Sequence, residues 1–333
     1  MNSEERAKII KEYRSFCLKA DPKYYNYESL SFEFSSCEKY EVKRSIGRGK
    51  YSDVFEGVDA SNGMPVVIKM LKPVRKLKIA REIRILELLR DGPNIIKLLE
   101  ICFDNTSLTP SLVFEMISTV NQKQIMLNLN LRDLKTYMLQ VFRGLDYAHS
   151  RGIMHRDVKP MNIIVDTETK KLKLIDWGLS EFYIDKKEYN TRVSSRPYKS
   201  PELLLNYQLY DFSLDIWSAG TMFAAMIFKK EHFFLGKDNQ DQLAKIVAVL
   251  GTKGFLDYIK KYKIVVDSHE MSAYKNKDRK EFSSFINEKC ADLCTKEALD
   301  LLEKMLVYDH NERITAREAI YHPFFDEVRN LVI

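Results

Sequence analysis

The sequence contains few cysteines, and they form no recognisable framework. The five cysteines are scattered and odd in number, which favours free thiols in a reducing compartment over a set of disulfides. Cys290 and Cys294 could share a helix face, but no second ligand pair follows to complete a zinc site. The remaining cysteines are Cys17, Cys37 and Cys102.

Long hydrophobic runs, repeats and low-complexity tracts are also missing. The longest uncharged apolar run, Ile216 to Phe228, is too short to cross a bilayer and is typical of a buried core helix. The N-terminus carries Glu4, Glu5 and several basic residues without an apolar h-region, so no secretory signal is present. We therefore expect a soluble protein of the cytoplasm and nucleus, without membrane contact.

The 333 residues, 45% of them hydrophobic, suffice for a large core and for a division into two lobes. The sequence predicts an α+β fold, with a tyrosine-rich N-terminal arm over residues 1–38 that packs on the core. Residues 39–117 are expected to form a small β-rich lobe with one long helix, including a type I′ hairpin at Asn62-Gly63. Residues 118–327 are expected to form a larger, mainly helical lobe, followed by a short end over 328–333.

The most informative segment runs from His155 to Asn162. Asp157 can accept a proton from a hydroxyl nucleophile, and Lys159 can neutralise a transferring phosphoryl group. Asn162 can offer a carbonyl oxygen to Mg²⁺, and Asp176, which precedes Trp177-Gly178, is a second oxygen ligand. This order and spacing are those of the protein-kinase catalytic loop and its metal-binding triplet.

Lys69 ends an apolar strand, where a lysine is costly unless it is paired. We predict that its partner is Glu82, on the helix that follows, and that the pair holds Lys69 against the phosphates of a nucleotide.

A glycine-containing segment precedes this strand, and its glycines would let backbone N–H groups approach phosphates. A strand and not a helix follows it, which excludes dinucleotide binding, while an ordinary hairpin turn remains the alternative. The predicted nucleotide-binding residues of this segment are Gly47, Arg48, Gly49, Lys50, Tyr51, Ser52 and Val54.

Two basic stretches stand out in a chain whose net charge is only +6. The first, between Ala60 and Arg81, has no acidic residue and should attract acidic peptides, nucleic acids or other polyanions. A solvated helix face and a nuclear import signal are the alternatives. The cations of this stretch are Lys69, Lys72, Arg75, Lys76, Lys78 and Arg81.

The second stretch contains Arg192, Arg196 and Lys199, in the region that forms the activation segment of a kinase. Arginine pairs well with carboxylate and phosphate groups, so these cations should select substrates with acidic side chains beyond the phosphoacceptor. The competing interpretation is that they bind a phosphorylated residue of the same segment. The candidates are Thr191, Ser194 and Ser195.

Taken together, these motifs resemble the catalytic (alpha) subunit of casein kinase II, from about Tyr25 to Phe325. The most specific segments are GRGKYSDVFEG (47–57), KMLKPVRKLKIAREI (69–83), GIMHRDVKPMN (152–162), LIDWGLSEFY (174–183) and MIFKKEHFF (226–234). Trp177, in place of the usual phenylalanine, is a mark of that family, and its indole N–H can donate a hydrogen bond that phenylalanine lacks.

The resemblance implies a bilobal protein kinase fold and a constitutively active serine/threonine kinase. It implies ATP and also GTP as phosphoryl donors, Mg²⁺ as the metal, and acidic protein substrates. It further implies a regulatory beta-subunit dimer bound to the outer sheet face near Val42 and Phe55, giving an α2β2 tetramer. The implied nucleotide cleft adds Val67, Ile96, Phe114, Glu115, Ile117, Ile164 and Ile175 to the glycine segment, Lys69 and Asp176.

Several residues depart from the family pattern. Leu77 and Ala80 dilute the lysine-rich stretch, which puts polyanion binding and distal substrate recognition in doubt. Pro197 replaces one member of an aromatic pair, which puts the shape of the substrate loop in doubt. Glu202 is nevertheless expected to pair with Arg313. The alternatives are a related kinase that is proline-directed or activated by phosphorylation, a scaffold without turnover, and a nucleic-acid-binding protein without a recognised motif.

Overall fold

The computed structural model describes residues 3–49, 51–72, 75–105, 108–118, 128–166 and 168–331. These residues form a β-rich lobe and a larger helical lobe, as the sequence predicted. The N-terminal arm begins with a helix, Ser3–Lys19, which was not predicted from the sequence. The strands are β1 (Ser35–Ser36), β2 (Tyr40–Arg48), β3 (Ser52–Asp59), β4 (Met64–Leu71), β5 (Leu98–Asp104), β6 (Thr109–Glu115), β7 (Ile153–Met154), β8 (Ile163–Val165), β9 (Leu172–Leu174) and β10 (Glu181–Phe182).

The helices alternate with these strands and then dominate the second half of the chain. They are α1 (Ser3–Lys19), α2 (Lys76–Leu88), α3 (Leu131–His149), α4 (Pro201–Leu204), α5 (Ser213–Ile227), α6 (Asn239–Leu250), α7 (Thr252–Lys261), α8 (Ser268–Tyr274), α9 (Lys296–Met305) and α10 (Ala316–Ile320).

The small lobe is built on a six-stranded sheet in the order β1-β5-β6-β4-β3-β2. Strand β1 pairs with β5 in parallel, and the other neighbours are antiparallel. The register places Val54 opposite Lys69, and Val67 opposite Phe114. The sheet therefore presents predicted cleft residues from adjacent strands side by side.

The turn between β3 and β4 differs from the predicted type I′ hairpin. Gly63 has a φ of 73°, but Asn62 is not among the residues with positive φ, and a type I′ turn requires positive φ at both central positions. Asp59 explains the difference, because its carboxylate accepts from the Ser61 amide at 3.0 Å. Its carbonyl also accepts from the Gly63 amide at 2.7 Å, which makes a longer, capped turn.

The large lobe is organised around two helices that are largely buried. The Asn130 side chain caps α3 by accepting from the Asp133 amide at 2.8 Å, which satisfies one of the free N–H groups of the first turn. Helix α5 is buried along almost its whole length, so the run from Ile216 to Phe228 is a core helix as predicted. Among the residues that the structure describes, no helix combines the length and hydropathy that a bilayer crossing requires.

Glu202 and Arg313 form the predicted ion pair in the core of the large lobe. Two guanidinium nitrogens lie 2.6 Å from the two carboxylate oxygens, and both side chains are fully buried. Burial alone would raise the pKa of Glu202, but Arg313 outweighs it and the pKa is lowered. Losing either partner would leave a buried charge uncompensated, which costs about 3–5 kcal/mol.

The N-terminal arm packs on the large lobe and on the segment that follows β10. Tyr13 on α1 is buried in an apolar cluster with Val193 and Tyr189. Further along, the rings of Tyr24 and Tyr27 lie against Phe182, with centroids 5.7 and 6.1 Å apart. Tyr24 and Tyr27 are therefore half-buried residues that pack against the core.

Candidate active site

Lys69 and Glu82 form the predicted ion pair at the back of the cleft. The lysine Nζ lies 2.7 Å from Glu82 Oε1 and 2.9 Å from Asp176 Oδ1. Burial alone would lower the pKa of Lys69, but the two carboxylates outweigh it and raise the pKa. The ammonium therefore stays charged beside both carboxylates, as binding of nucleotide phosphates requires.

The triplet Asp176-Trp177-Gly178 is held by three distinct features. Asp176 has a φ of 58°, a left-handed conformation that costs energy in a non-glycine residue and tends to occur at functional sites. The Trp177 indole donates to the Leu174 carbonyl at 3.3 Å, the additional bond that the sequence predicted. A Cβ on Gly178 would lie only 3.1 Å from Glu82 Oε2, so glycine lets α2 approach closely.

Asp157 lies at the centre of the catalytic loop. Its Oδ2 accepts from Lys159 Nζ at 2.7 Å and from Asn162 Nδ2 at 2.9 Å. Its Oδ1 accepts from the Ser195 amide at 3.1 Å. The carboxylate is thus fixed between the catalytic loop and the activation segment, and the predicted base, cation and metal ligand lie together.

The loop is anchored to the core by Asp215 on α5. This buried carboxylate accepts from the backbone amides of His155 and Arg156 at 2.8 and 2.7 Å, and contacts His149 Nε2 at 2.9 Å. Burial alone would raise the pKa of Asp215, but these partners outweigh it and the pKa is lowered. His155 itself is buried and bonds the Ile175 carbonyl at 3.1 Å, so it is a structural residue of the loop.

The donor groups available to a metal fit Mg²⁺. Both hydrogen bonds of the Asn162 side chain use its amide nitrogen, donated to the Asp157 carbonyl and carboxylate, so its carbonyl oxygen is left to coordinate. Within the described ranges, no three His, Cys, Asp or Glu side chains converge as a metal-binding cluster. One amide and one carboxylate with substrate phosphates make a usual Mg²⁺ site, so Asn162 and Asp176 would hold the ion.

The glycine segment joins β2 to β3 and is closed by backbone contacts. The Gly49 amide donates to the Ser52 carbonyl at 2.8 Å, and the Lys72 amide donates to the Tyr51 carbonyl at 2.9 Å. Gly47, Arg48 and Val54 lie on the paired strands, while Lys50 lies outside the described residues. The segment is therefore bound to the end of β4, the strand that carries Lys69.

The apolar cleft residues come from both lobes. Ile96 and Phe114 are buried, whereas the others are partly accessible, as a surface for a planar base would be. The carboxylate of Glu115 is engaged by the Lys97 amide and by Lys173 at 2.9 and 3.0 Å, and its own backbone amide donates to the Lys97 carbonyl at 3.2 Å. The partly accessible residues are Val67, Glu115, Ile117, Ile164 and Ile175.

The predicted substrate cations do not all face the surface. Arg192 and Arg196 are exposed, but Lys199 is buried and donates to the Thr191 carbonyl at 3.3 Å and to the Val193 carbonyl. Burial lowers the pKa of Lys199 to about 8. The structure therefore places Lys199 inside the activation segment, because its ammonium satisfies backbone carbonyls there.

Some cations of the first basic stretch contact other side chains of the protein, whereas others are exposed. Lys72 pairs with Asp53 at 2.9 Å, and Arg81 pairs with Glu181 at 2.7 Å in a largely buried position. Lys78 lies over the Tyr51 ring, 5.4 Å from its centroid. Arg75 and Lys76 are exposed and make no ion pair with any residue in the described part of the chain.

A bilobal fold with a charged cleft of this composition defines a nucleotide-dependent phosphotransferase. The family model of the protein kinase domain matches residues 40–325. The chain belongs to the protein kinase family, which uses ATP and Mg²⁺ to phosphorylate proteins.

Proposed function

We propose that the chain is a serine/threonine kinase that acts on acidic substrates and is active without phosphorylation of its activation segment. The observation that carries the proposal is that the hydroxyl groups of this segment are already used or enclosed. Thr191 donates to Asn206 at 2.5 Å, and Ser195 contacts Asp157 and Lys159. Ser194 Oγ is buried without a hydrogen-bond partner among the described residues.

The N-terminal arm supports the constitutive part of the proposal. Arg14 on α1 pairs with Asp211, Nε to Oδ2 at 2.9 Å, close to the cluster that holds Val193. Arg84 on α2 donates to the Tyr24 carbonyl at 3.2 Å. The arm thus contacts both the activation segment and the helix that carries Glu82, which a phosphate would otherwise have to hold in place.

The residues divide the chemistry among them. Asp157 is placed to orient a substrate hydroxyl and accept its proton, and Lys159 to neutralise charge on the transferring group. Lys69 would hold the nucleotide phosphates, with Glu82 fixing its position. When bound at Asn162 and Asp176, Mg²⁺ supplies charge neutralisation at the phosphate oxygens. Lys159, two residues after the base, is the pattern that the family resemblance associates with serine and threonine substrates.

Acidic substrate preference is supported by the exposed cations of the activation segment. Arg196 directly follows Ser195, whose amide is 3.1 Å from the proposed base, and Arg192 precedes Ser195 in the same segment. A carboxylate or phosphoserine shortly after the phosphoacceptor would come within their reach. Arg75 and Lys76 supply a second exposed cationic surface, for polyanions or more distant acidic residues.

We also propose that the chain accepts GTP as well as ATP as phosphoryl donor, and that a beta-subunit dimer binds the outer face of the sheet. Val42 is 45% exposed and lies on β2, and Phe55 on the paired strand β3 is half-buried. Light scattering of the chain with a purified beta-subunit would test the α2β2 assembly. Val42→Asp should weaken it without changing peptide phosphorylation by the isolated chain.

The first experiment is phosphate transfer by the purified, unphosphorylated chain to paired peptides. One peptide carries acidic residues after serine, and in the other these are alanine. Selective labelling of the acidic peptide supports the proposal, and the Asp157→Ala variant is the control for contaminating kinases. Equal transfer to both peptides would contradict acidic selectivity, and transfer only after treatment with an upstream kinase would contradict constitutive activity.

A further inference from the structure

The loop between α5 and α6 lies against the activation segment and presents a lysine, Lys237. The Arg196 guanidinium donates to the backbone carbonyl of Lys237 and lies 3.5 Å from the carbonyl of Gly236. These contacts join the loop to the tip of an arginine that we assign to substrate recognition.

The loop is held in place by further contacts. The Gly236 amide donates to Gln242 Oε1 at 2.7 Å, and Gln242 Nε2 donates to the Pro197 carbonyl at 3.4 Å. A Cβ on Gly236 would lie 2.2 Å from the Gln242 backbone nitrogen, so only glycine permits this approach. The position of Lys237 relative to Arg196 is therefore built into the fold.

The ammonium of Lys237 forms no ion pair with any residue in the part of the chain that the structure describes. Lys237 is exposed, and its backbone amide donates to Asp241 Oδ2 at 2.9 Å. Asp238 caps α6 by accepting from the Asp241 amide at 2.8 Å, and Asp241 also faces Lys245 at 3.9 Å. Both nearby carboxylates thus accept from backbone amides, and the exposed Lys237 has its backbone beside the Arg196 guanidinium.

We propose that Lys237 is a specificity-determining residue for an acidic side chain farther from the phosphoacceptor than the one that Arg196 contacts. The order of groups supports this assignment, since the Ser195 amide contacts Asp157, Arg196 follows Ser195, and Lys237 lies at the far end of the Arg196 side chain. An extended peptide advances about 3.3–3.6 Å per residue. Cations placed in series would therefore meet successive acidic residues of one substrate.

This inference rests on the proposed acidic selectivity and extends it beyond the activation segment. It also bears on Lys199, whose inward position removes one of the three cations that the sequence assigned to substrate recognition. Lys237, from a distant part of the sequence, adds an exposed cation on the same side.

The test is a kinetic comparison of the full chain with its Lys237→Glu and Lys237→Ala variants. The peptides carry one aspartate that is moved stepwise from one to six residues after serine in a neutral background. Lys237→Glu should raise KM about three- to tenfold for peptides with the distal aspartate, since exposed ion pairs are individually weak. Peptides without aspartate should keep their kcat and KM, and high salt should reduce the difference.

Lys253→Glu is the matched control, because Lys253 is an exposed lysine on α7. The inference would be overturned if KM depended on the position of the aspartate in the same way for Lys237→Glu as for the unchanged chain. An equal loss of kcat/KM for every peptide would overturn it as well. The second result would indicate a structural role, although the Arg196 contact uses only the backbone of Lys237. If the unchanged chain itself shows no preference for aspartate, the proposed function fails, whereas an unaltered preference in the variants contradicts this inference alone.

Discussion

Arg81 on α2 and Glu181 on β10 form an ion pair of 2.7 Å in which both side chains are largely buried. Arg156 of the catalytic loop lies 3.9 Å from the same carboxylate oxygen. A single carboxylate thus connects the helix that carries Glu82 with the catalytic loop and the activation segment. The last cation of the first basic stretch therefore belongs to the interior of the kinase and not to its anion-binding surface.

Replacing Arg81 with alanine should lower kcat and stability together. The variant leaves the Glu181 carboxylate with the more distant Arg156 as its cationic neighbour among the described residues, and breaking a buried pair typically costs about 3–5 kcal/mol. We expect the loss of kcat to exceed any change in KM for peptide, because the position of α2 and Glu82 is affected. Steady-state kinetics and thermal unfolding measure the two effects.

The control for Arg81 is Arg75→Ala, which removes an exposed cation just before the same helix. Arg75→Ala should keep kcat and thermal stability. Normal kcat in the Arg81→Ala variant would show that Glu181 does not position α2.

Replacing Asp157 with alanine should abolish turnover while nucleotide binding is kept. A positioned base contributes roughly 10²–10⁴-fold, and the contacts of Lys69 with Glu82 and Asp176 do not involve Asp157. Nucleotide affinity, measured by titration of a fluorescent ATP analogue, should change little. Turnover close to that of the unchanged chain would contradict the assignment of Asp157 as the base.

The pair between Arg14 and Asp211 predicts a pH dependence of stability. Burial alone would raise the pKa of Asp211, but Arg14 outweighs it and the pKa is lowered to about 2. A lowered carboxyl pKa adds stability above the unfolded pKa of about 3.9, and this contribution is lost as pH falls from about 4 to 2. Its size is on the order of 2 kcal/mol.

The Arg14→Met variant should therefore be less stable than the unchanged chain at pH 7, and the difference should shrink below about pH 4. Without Arg14, the pKa of Asp211 should rise, because burial is then opposed only by the weaker effects of His310 and Ser213. Urea unfolding at a series of pH values measures this difference. Lys11→Met, an exposed position on the same helix, is the control, and a pH-independent deficit would argue against the ion pair.

The sequence predicted those parts of this site that follow from the energetic cost of an unpaired charge or from the spacing of motif residues. Lys69 at the end of an apolar strand requires a carboxylate partner, and Glu82 occupies that place. The direction of Lys199 could not be predicted, because it depends on a backbone path in which Ser194 has a φ of 63° and turns two carbonyls inward. The turn at Asn62 likewise depends on capping by Asp59, which dipeptide preferences do not include.

Arg196 is exposed and Lys199 is buried, so replacing these two cations of the activation segment should have different effects. Arg196→Glu should raise KM for acidic peptides selectively, because its side chain is exposed beside Ser195. Lys199→Met should instead lower thermal stability and leave the ratio of kcat/KM between acidic and neutral peptides unchanged, because its ammonium bonds the Thr191 and Val193 carbonyls. Those carbonyls lose a donor in the variant, at a cost of about 1–3 kcal/mol. A selective loss of acidic-peptide phosphorylation in Lys199→Met, with unchanged stability, would show that Lys199 turns outward to bind substrate.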